Sequence, residues 1–123
     1  MGKINATPLS VGAPTRRHSG RTPEAKVVAA VKDWCRSKPD VYMVRIVQAG
    51  HSGVADFLLC VHGRFVAVEC KAEGQRPRPL QAQQMVRVMD CGGYAIWGDT
   101  PEAIQSMLEQ LYVDLRPTGT AVG

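Results

Sequence analysis

Hydrophobic residues recur with a helical period in three segments of the chain. The first runs from Thr22 to about Arg36, and its threonine-proline start supplies an N-cap and a first turn. The last begins with the same signal at Thr100, and the middle segment runs from Leu80 until Gly92-Gly93 stops it. The predicted buried stripes are Val27, Ala30, Val31 and Trp34, then Ala82, Met85, Val86 and Met89, then Ile104, Met107, Leu108 and Leu111.

Four other segments have the composition and length of β-strands. They cover residues 41–48, 56–61, 64–71 and 94–97. A small-residue loop at 49–53 ends the first strand, and His62-Gly63 separates the second from the third. The predicted order is α-β-β-β-α-β-α without an internal repeat, which indicates an α/β fold with a four-stranded mixed sheet flanked by helices.

The hairpin around His62-Gly63 brings charged residues together. If these two residues form the turn, antiparallel partners have numbers that sum to 125, and Asp56 faces Glu69. Like charges in that position are destabilising unless something positive lies between them. Side chains alternate along a strand, so Lys71 shares the face of Glu69 while Cys70 points to the other. The pattern predicts that three charged groups converge within a buried sheet.

Two carboxylates beside a lysine suit a hard, oxygen-liganded ion such as Mg²⁺ or Mn²⁺. Such an ion lowers the pKa of a bound water, positions it against phosphorus and offsets developing charge. Lys71 would orient or deprotonate that water, or hold phosphate oxygens. The alternative is an ordinary salt bridge among Asp56, Glu69 and Lys71 at a strand end.

The size of the chain indicates one compact domain. Its 123 residues, 45% of them hydrophobic and 21% charged, suffice for one core and are too few for two. The apolar runs are too short to span a bilayer, and the N-terminus lacks the apolar stretch of a signal peptide. We therefore expect a soluble, intracellular protein without a membrane partner.

The net charge of +4 lies in the N-terminal tail. Residues 1–21 contain no acid and four basic residues, Lys3, Arg16, Arg17 and Arg21. This tail is rich in Gly, Pro, Ser and Thr, which predicts a flexible basic arm suited to DNA phosphates, or alternatively a mere solubilising leader. We place the domain at residues 22–116 and a C-terminal tail at 117–123.

The four cysteines are widely spaced and lack a C-x-x-C pair. Each sits in an otherwise apolar segment, so we expect reduced core residues, with a zinc site as the alternative. They are Cys35, Cys60, Cys70 and Cys91.

The hairpin motif and its surroundings resemble a known enzyme family. Gly53-Val54-Ala55-Asp56 precedes an apolar strand, a turn and Val68-Glu69-Cys70-Lys71. Thr22-Pro23-Glu24, Leu80-Gln81 and Gly92-Gly93 extend the pattern over about residues 22–98. The set resembles the PD-(D/E)xK nuclease superfamily, and within it the single-domain phage and bacterial VRR-NUC proteins. Ala55 stands where the motif has proline, which leaves every proposed ligand intact.

The resemblance implies a restriction-endonuclease-like core and a DNA endonuclease that uses Mg²⁺ or Mn²⁺. Asp56, Glu69 and the backbone carbonyl of Cys70 would bind the metal, and Lys71 would be the catalytic lysine. Glu24 matches the acid of the first helix, which is a further metal ligand, and Gln81 matches the glutamine after the lysine. The family also implies homodimers that act on branched or double-stranded DNA such as four-way junctions, in the cytoplasm of a bacterium or phage-infected cell.

Several residues allow two interpretations. Glu24 either faces the site or compensates the helix dipole, and Gln81 either reaches the site or caps its helix. His51, Arg76 and Arg78 would contact DNA phosphates, or else belong to solvated loops.

Dimerisation and function also leave alternatives. A dimer would use the first and last helices, with Trp34, Met107 and Tyr112 as anchors. The rival functions are a non-catalytic nucleic-acid-binding subunit and a nuclease directed to flaps or nicks. A small phosphotransferase is disfavoured because no P-loop is present.

Overall fold

The computed structural model describes residues 4–5, 22–47 and 53–118. The predicted class and element order are confirmed for a core of three helices and four strands, to which a short first strand is added. The helices are α1 (Pro23–Arg36), α2 (Pro79–Asp90) and α3 (Pro101–Asp114). The strands are β1 (Ile4–Asn5), β2 (Tyr42–Arg45), β3 (Phe57–Val61), β4 (Arg64–Cys70) and β5 (Tyr94–Gly98).

The sheet has the strand order β1-β5-β4-β3-β2 and is mixed. Strands β2, β3 and β4 pair antiparallel, whereas β5 pairs parallel with β4 and with β1. Strand β1 was not predicted, although Ile4 pairs with Ala95 and Asn5 with Ile96. A strand of two residues is too short to show an alternation of apolar and polar side chains. The sequence pattern therefore could not predict it.

The helices cover the two faces of the sheet unequally. Helices α1 and α3 pack on the face of Val66, Val68 and Cys70, where the larger core cluster lies. Their starts form as predicted, because Thr22 and Thr100 each accept a hydrogen bond from a backbone N–H three residues later at 3.1 Å. Helix α2 alone covers the opposite face, which carries the charged residues of the hairpin.

The predicted stripe of α2 needs one correction. Met85 is buried, but the side chain of Val86 is 45% exposed. Val88 and Met89 pack against the second core cluster instead. Residues three and four positions after Met85 share its face, whereas the next residue lies about 100° around the helix. The sequence of α2 is compatible with an apolar stripe that contains Val86 and with one that contains Val88. The hydrophobic pattern alone therefore does not determine how the helix is rotated about its axis.

The central hairpin has the predicted register from Val61 paired with Arg64 to Phe57 paired with Val68. His62 and Gly63 form its turn with φ angles of 49° and 82°, as a two-residue turn of this type requires. The ladder changes at Asp56, whose N–H donates to the carbonyl of Val68 at 3.0 Å. Asp56 is therefore offset from Glu69 rather than directly opposite it.

The cysteine prediction is half right. All four cysteines are free, and Cys35 and Cys70 are buried in the core. Cys60 and Cys91 are exposed. Cys60 lies between two buried residues of β3 and must point to the other face, which α2 does not reach at that end. Within the described residues, no helix is both long and apolar enough to cross a membrane.

Candidate active site

The segment before Asp56 is held against the beginning of α2. Gly53 has a φ of 86°, and a Cβ placed there would lie 2.8 Å from the carbonyl oxygen of Leu80. Only glycine allows this close approach together with this conformation. Asp56 then lies directly before β3, where its Oδ2 accepts a hydrogen bond from the N–H of Cys70 at 2.7 Å. The backbone of one strand thereby fixes the carboxylate of the other.

Asp56 is a half-buried acid whose pKa is raised by its burial. The hydrogen bond from Cys70 lowers this pKa in part, and the positive charges of Arg45 and Lys71 act in the same direction. Arg45 was missed by the sequence analysis. Its place beside Asp56 follows from the pairing of Arg45 with Phe57 across β2 and β3, a register that the sequence analysis did not derive.

Glu69 is the most deeply placed acid of the site, with only 4% of its surface exposed. Burial and, after it, the nearby charge of Asp56 raise the pKa of Glu69 to about 8. Lys71 opposes this rise in the pKa, while the more distant Glu24 adds to it. Two neighbouring acids are thus held in a place that disfavours negative charge.

Gln81 connects the lysine to the buried acid. Its side-chain Nε2 donates to Oε2 of Glu69 at 2.6 Å, and its Oε1 accepts from Nζ of Lys71 at 3.0 Å. Lys71 Nζ lies 3.8 Å from the same Glu69 oxygen. The Oε1 atom of Gln81 also accepts the N–H of Arg78 at 2.8 Å, so Gln81 caps α2 and contacts the site at once. Both interpretations of this residue hold together.

The turn after Lys71 is fixed by a residue that the sequence analysis did not identify. Asp99 is 1% exposed, and its Oδ2 accepts the N–H of Gly74 at 3.0 Å. The backbone N–H of Lys71 donates to the carbonyl of Gly98 at 2.9 Å. The end of β5 therefore positions both the lysine and the loop that follows it. An acid directly after an apolar strand was the available signal.

Replacing Asp99 with alanine is expected to destabilise the protein by about 1–3 kcal/mol, because the loop after Lys71 loses the hydrogen bond from the Gly74 N–H to a carboxylate. Urea unfolding measures the change, with Asp90→Ala at the exposed end of α2 as the matched control. A loss below about 0.5 kcal/mol, the size expected of ordinary surface changes, would show that the loop does not depend on this hydrogen bond.

The donor set of the site fits a hard divalent cation. Asp56 and Glu69 offer carboxylate oxygens, and burial raises the pKa values of both. No three His, Cys, Asp or Glu side chains of the described residues are grouped to hold a metal. Glu24 is exposed in the first turn of α1. The donors that the structure groups together are thus two carboxylates and neighbouring backbone oxygens, a set that leaves positions for water, and Glu24 as a further ligand stays a prediction.

The remaining predicted contact residues differ in their placement. Arg76 and Arg78 are exposed in the loop between β4 and α2. Arg78 is close enough to lower the pKa of Glu69, which places it beside the site. The other predicted contacts lie outside the described residues, namely Arg16, Arg17, Arg21 and His51.

The proposed dimer anchors are largely occupied within the chain. Trp34 is 6% exposed, and its Nε1 donates to Glu109 at 3.0 Å. Its ring meets that of Tyr112 edge to face, with centroids 5.9 Å apart. The hydroxyl of Tyr112 donates to the carboxylate of Asp40 at 2.9 Å. Trp34 therefore has no surface to offer a second copy, and Met107 packs against the same core.

Comparison with known proteins yields one informative similarity. No protein-family model matches the chain. A protein of Acyrthosiphon pisum secondary endosymbiont phage 1, named "Putative nuclease p44", is 34% identical over 59 residues. The aligned part is 47% of this chain and 63% of the phage protein. The chain is therefore similar to part of a phage protein whose name describes a nuclease.

Proposed function

We propose that the chain is a metal-dependent DNA endonuclease of the PD-(D/E)xK type, related to the VRR-NUC proteins. The observation that carries the proposal is the adjacency of the buried Glu69 and the half-buried Asp56, with Lys71 held beside Glu69 by Gln81. A salt bridge made for stability does not need a second acid in the same buried place. The name of the similar phage protein supports the same class of activity.

Asp56, Glu69 and the backbone carbonyl of Cys70 would hold Mg²⁺ or Mn²⁺. When bound, the ion would supply a water of lowered pKa and would offset charge on the phosphate during attack. The thiol of Cys70 takes no part, because burial raises its pKa and keeps it protonated. Only the backbone carbonyl of Cys70 would contact the metal.

Lys71 carries the positive charge of the site on the protein side. Its side chain is 12% exposed, and Gln81 holds Nζ on one side by a hydrogen bond. A fixed ammonium group stabilises developing charge without reorganising, since its orientation is set before the reaction. Nζ either donates to a phosphate oxygen or orients the attacking water. Arg78 lies beside the site and Arg76 is exposed in the same loop, and both cations suit backbone phosphates.

Branched DNA, such as a four-way junction, is the proposed substrate. One small site cuts one strand, so symmetric cleavage of a junction needs two copies related by a two-fold axis. We include a homodimer in the proposal for this reason. The surface of this dimer excludes Trp34, which is buried within the chain. A bacterial or phage-infected cytoplasm is the proposed location.

The test is cleavage of labelled single strands, duplexes, flaps, nicked duplexes and four-way junctions with Mg²⁺, Mn²⁺ or EDTA. We expect cleavage that requires metal and is fastest on the junction. Binding of these DNAs without cleavage in either metal would overturn the proposal and establish a binding subunit. Faster cleavage of flaps or nicks than of junctions would retain the nuclease and replace the substrate.

Replacing Gln81 with alanine is expected to lower cleavage about 10–100-fold, as the loss of residues that orient metal ligands does in other enzymes. The reason is that Glu69 and Lys71 lose their common partner. Titration with Mn²⁺ at fixed DNA concentration should show that more metal is needed. Gln83→Ala is the matched control, since Gln83 is exposed on the same helix. Equal activity of the two variants would contradict the positioning role of Gln81.

A further inference from the structure

An apolar cavity of about 210 Å³ lies directly beside Glu69. Glu69 forms part of its wall, so the cavity is continuous with the proposed active site. Most of the remaining wall is aliphatic, aromatic or glycine surface from the segment before β3, the hairpin and α2. It includes Ala55, Leu58, Phe65, Met85 and Val88.

The composition of this wall restricts what part of a nucleotide can enter. No lysine or arginine occurs among the described residues that line the cavity, and a carboxylate does. A phosphate would lose its hydration there and would find no cationic side chain in the described wall to replace it. The apolar surface of a DNA substrate lies on its bases, whose faces stack on aromatic and aliphatic side chains.

We propose that this cavity, called here the base pocket, receives an unstacked nucleobase next to the phosphate that is cleaved. This inference rests on the proposed nuclease function. The pocket lies close to the proposed active site, because Glu69 is part of the pocket wall and of the active site. A base held there would fix the neighbouring phosphate against the acids and Lys71.

Two side chains at the pocket suit a base in particular. Phe65 is 47% exposed, although it lies in the central strand of the sheet, and an exposed aromatic ring offers a stacking surface. Gln84 is half-buried in the same wall, and its amide can both donate to and accept from a base edge. A cavity that is only a packing defect of the core would need neither an exposed aromatic ring nor a side-chain amide in its wall.

A wider cavity of about 690 Å³ adjoins the base pocket. The two cavities share Phe65, Gln84 and Val88, and Arg87 lines the outer one. A strand that lies along both cavities would contact Arg87 as well as the aromatic ring of Phe65. Arg87 suits a phosphate one nucleotide away from the base in the pocket.

The base pocket links the site to a class of substrate. A paired base must be unstacked before it can enter, which costs a few kcal/mol, whereas an unpaired base at a branch point or flap avoids much of that cost. The enzyme would therefore prefer DNA with an unpaired or poorly stacked base beside the cleaved bond. No reading of base sequence is required.

An abasic scan tests the proposal with the wild-type chain. Each nucleotide flanking the cleaved phosphate of the junction and of a single-flap DNA is replaced in turn by a tetrahydrofuran analogue, which keeps sugar and phosphate. We expect cleavage to fall about fivefold or more at one position, the loss expected for one stacked base. A flat scan on both DNAs in an active enzyme would overturn the pocket and retain the nuclease.

Variants identify the pocket as the cause of that loss. Phe65→Ala should slow cleavage of intact DNA and make the sensitive position no more important than its neighbours. Tyr42→Ala is the matched control, because Tyr42 is a 69% exposed aromatic residue on the edge strand β2, away from the pocket. An unchanged abasic profile in Phe65→Ala would overturn the assignment of the pocket.

A binding experiment tests the base pocket without relying on DNA cleavage. 2-Aminopurine placed at the flanking positions reports unstacking by its fluorescence, read with a Lys71→Ala variant that leaves the DNA uncut. We expect a change at the position found in the abasic scan, and none when Phe65→Ala is added. If wild type cuts no DNA, the nuclease proposal fails, yet this fluorescence still shows whether a base enters the pocket.

Discussion

Replacing Lys71 with alanine is expected to lower DNA cleavage about 10²–10⁴-fold, the range for loss of a group that transfers or positions a proton. The side chain supplies the one positive charge that Gln81 holds next to Glu69. The backbone of Lys71 still donates to Gly98, so the strand keeps its pairing. Rates are measured under single-turnover conditions on the best DNA of the panel.

Lys32→Ala provides the matched control for charge, because Lys32 is exposed on α1. This variant should cleave at nearly the wild-type rate. Thermal unfolding of both variants confirms that each remains folded. If Lys71→Ala kept more than a tenth of the wild-type rate, the lysine would have no part in the chemistry.

Replacing Glu69 with glutamine is expected to remove cleavage and to stabilise the metal-free protein at high pH. The two effects have one cause, the burial of a negative charge next to Asp56. Glutamine keeps the shape of the side chain and can still accept the hydrogen bond from Gln81. It removes the charge that would bind the metal.

The sign of the pH effect follows from the raised pKa of Glu69. Between the ordinary pKa of 4.5 and the raised value of about 8, the folded protein keeps a proton that the unfolded chain has lost. Stability therefore falls as the pH rises through this range, and the loss is complete above it. A shift of that size corresponds to a cost on the order of 4–5 kcal/mol at pH 9.

Thermal unfolding in EDTA at pH 5 and pH 9 measures this difference. We expect Glu69→Gln to unfold about 12–25 °C above wild type at pH 9 and close to it at pH 5. Glu102→Gln, at an exposed position of α3, should show neither effect. Mn²⁺ should raise the unfolding temperature of wild type and not that of Glu69→Gln. A destabilised variant at pH 9 would show that the negative charge is well accommodated without metal.

The pairing of residues in the hairpin was predictable because it follows from the number of residues in the turn. A two-residue turn at His62-Gly63 determines every pair of β3 and β4, and alternation then places Glu69 on one face and Cys70 on the other. The offset of Asp56 was not predictable, because it depends on a backbone hydrogen bond to Val68 where the ladder ends. Strand alternation cannot show such an irregularity.

Contacts between distant segments were the part that the sequence left open. The link from Gln81 to Lys71 and Glu69 depends on the rotation of α2 about its axis. The exposure of Val86 shows that the hydrophobic pattern did not determine this rotation. Trp34 was predicted both in the buried stripe of α1 and as a dimer anchor, since a large aromatic residue suits a core and an interface equally well, and its 6% exposure agrees with the core.

The proposed active site combines parts of unequal local stability. Strand β4 is paired on both sides and lies in the middle of the sheet, so the amides of Glu69 and its neighbours exchange with solvent only when the sheet opens. Gln81 lies in the first turn of α2, and helix ends open with far less energy. Asp56, Glu69 and Lys71 thus keep their positions when the first turn of α2 opens. Gln81 then leaves Glu69 and Lys71, and it returns when the turn closes.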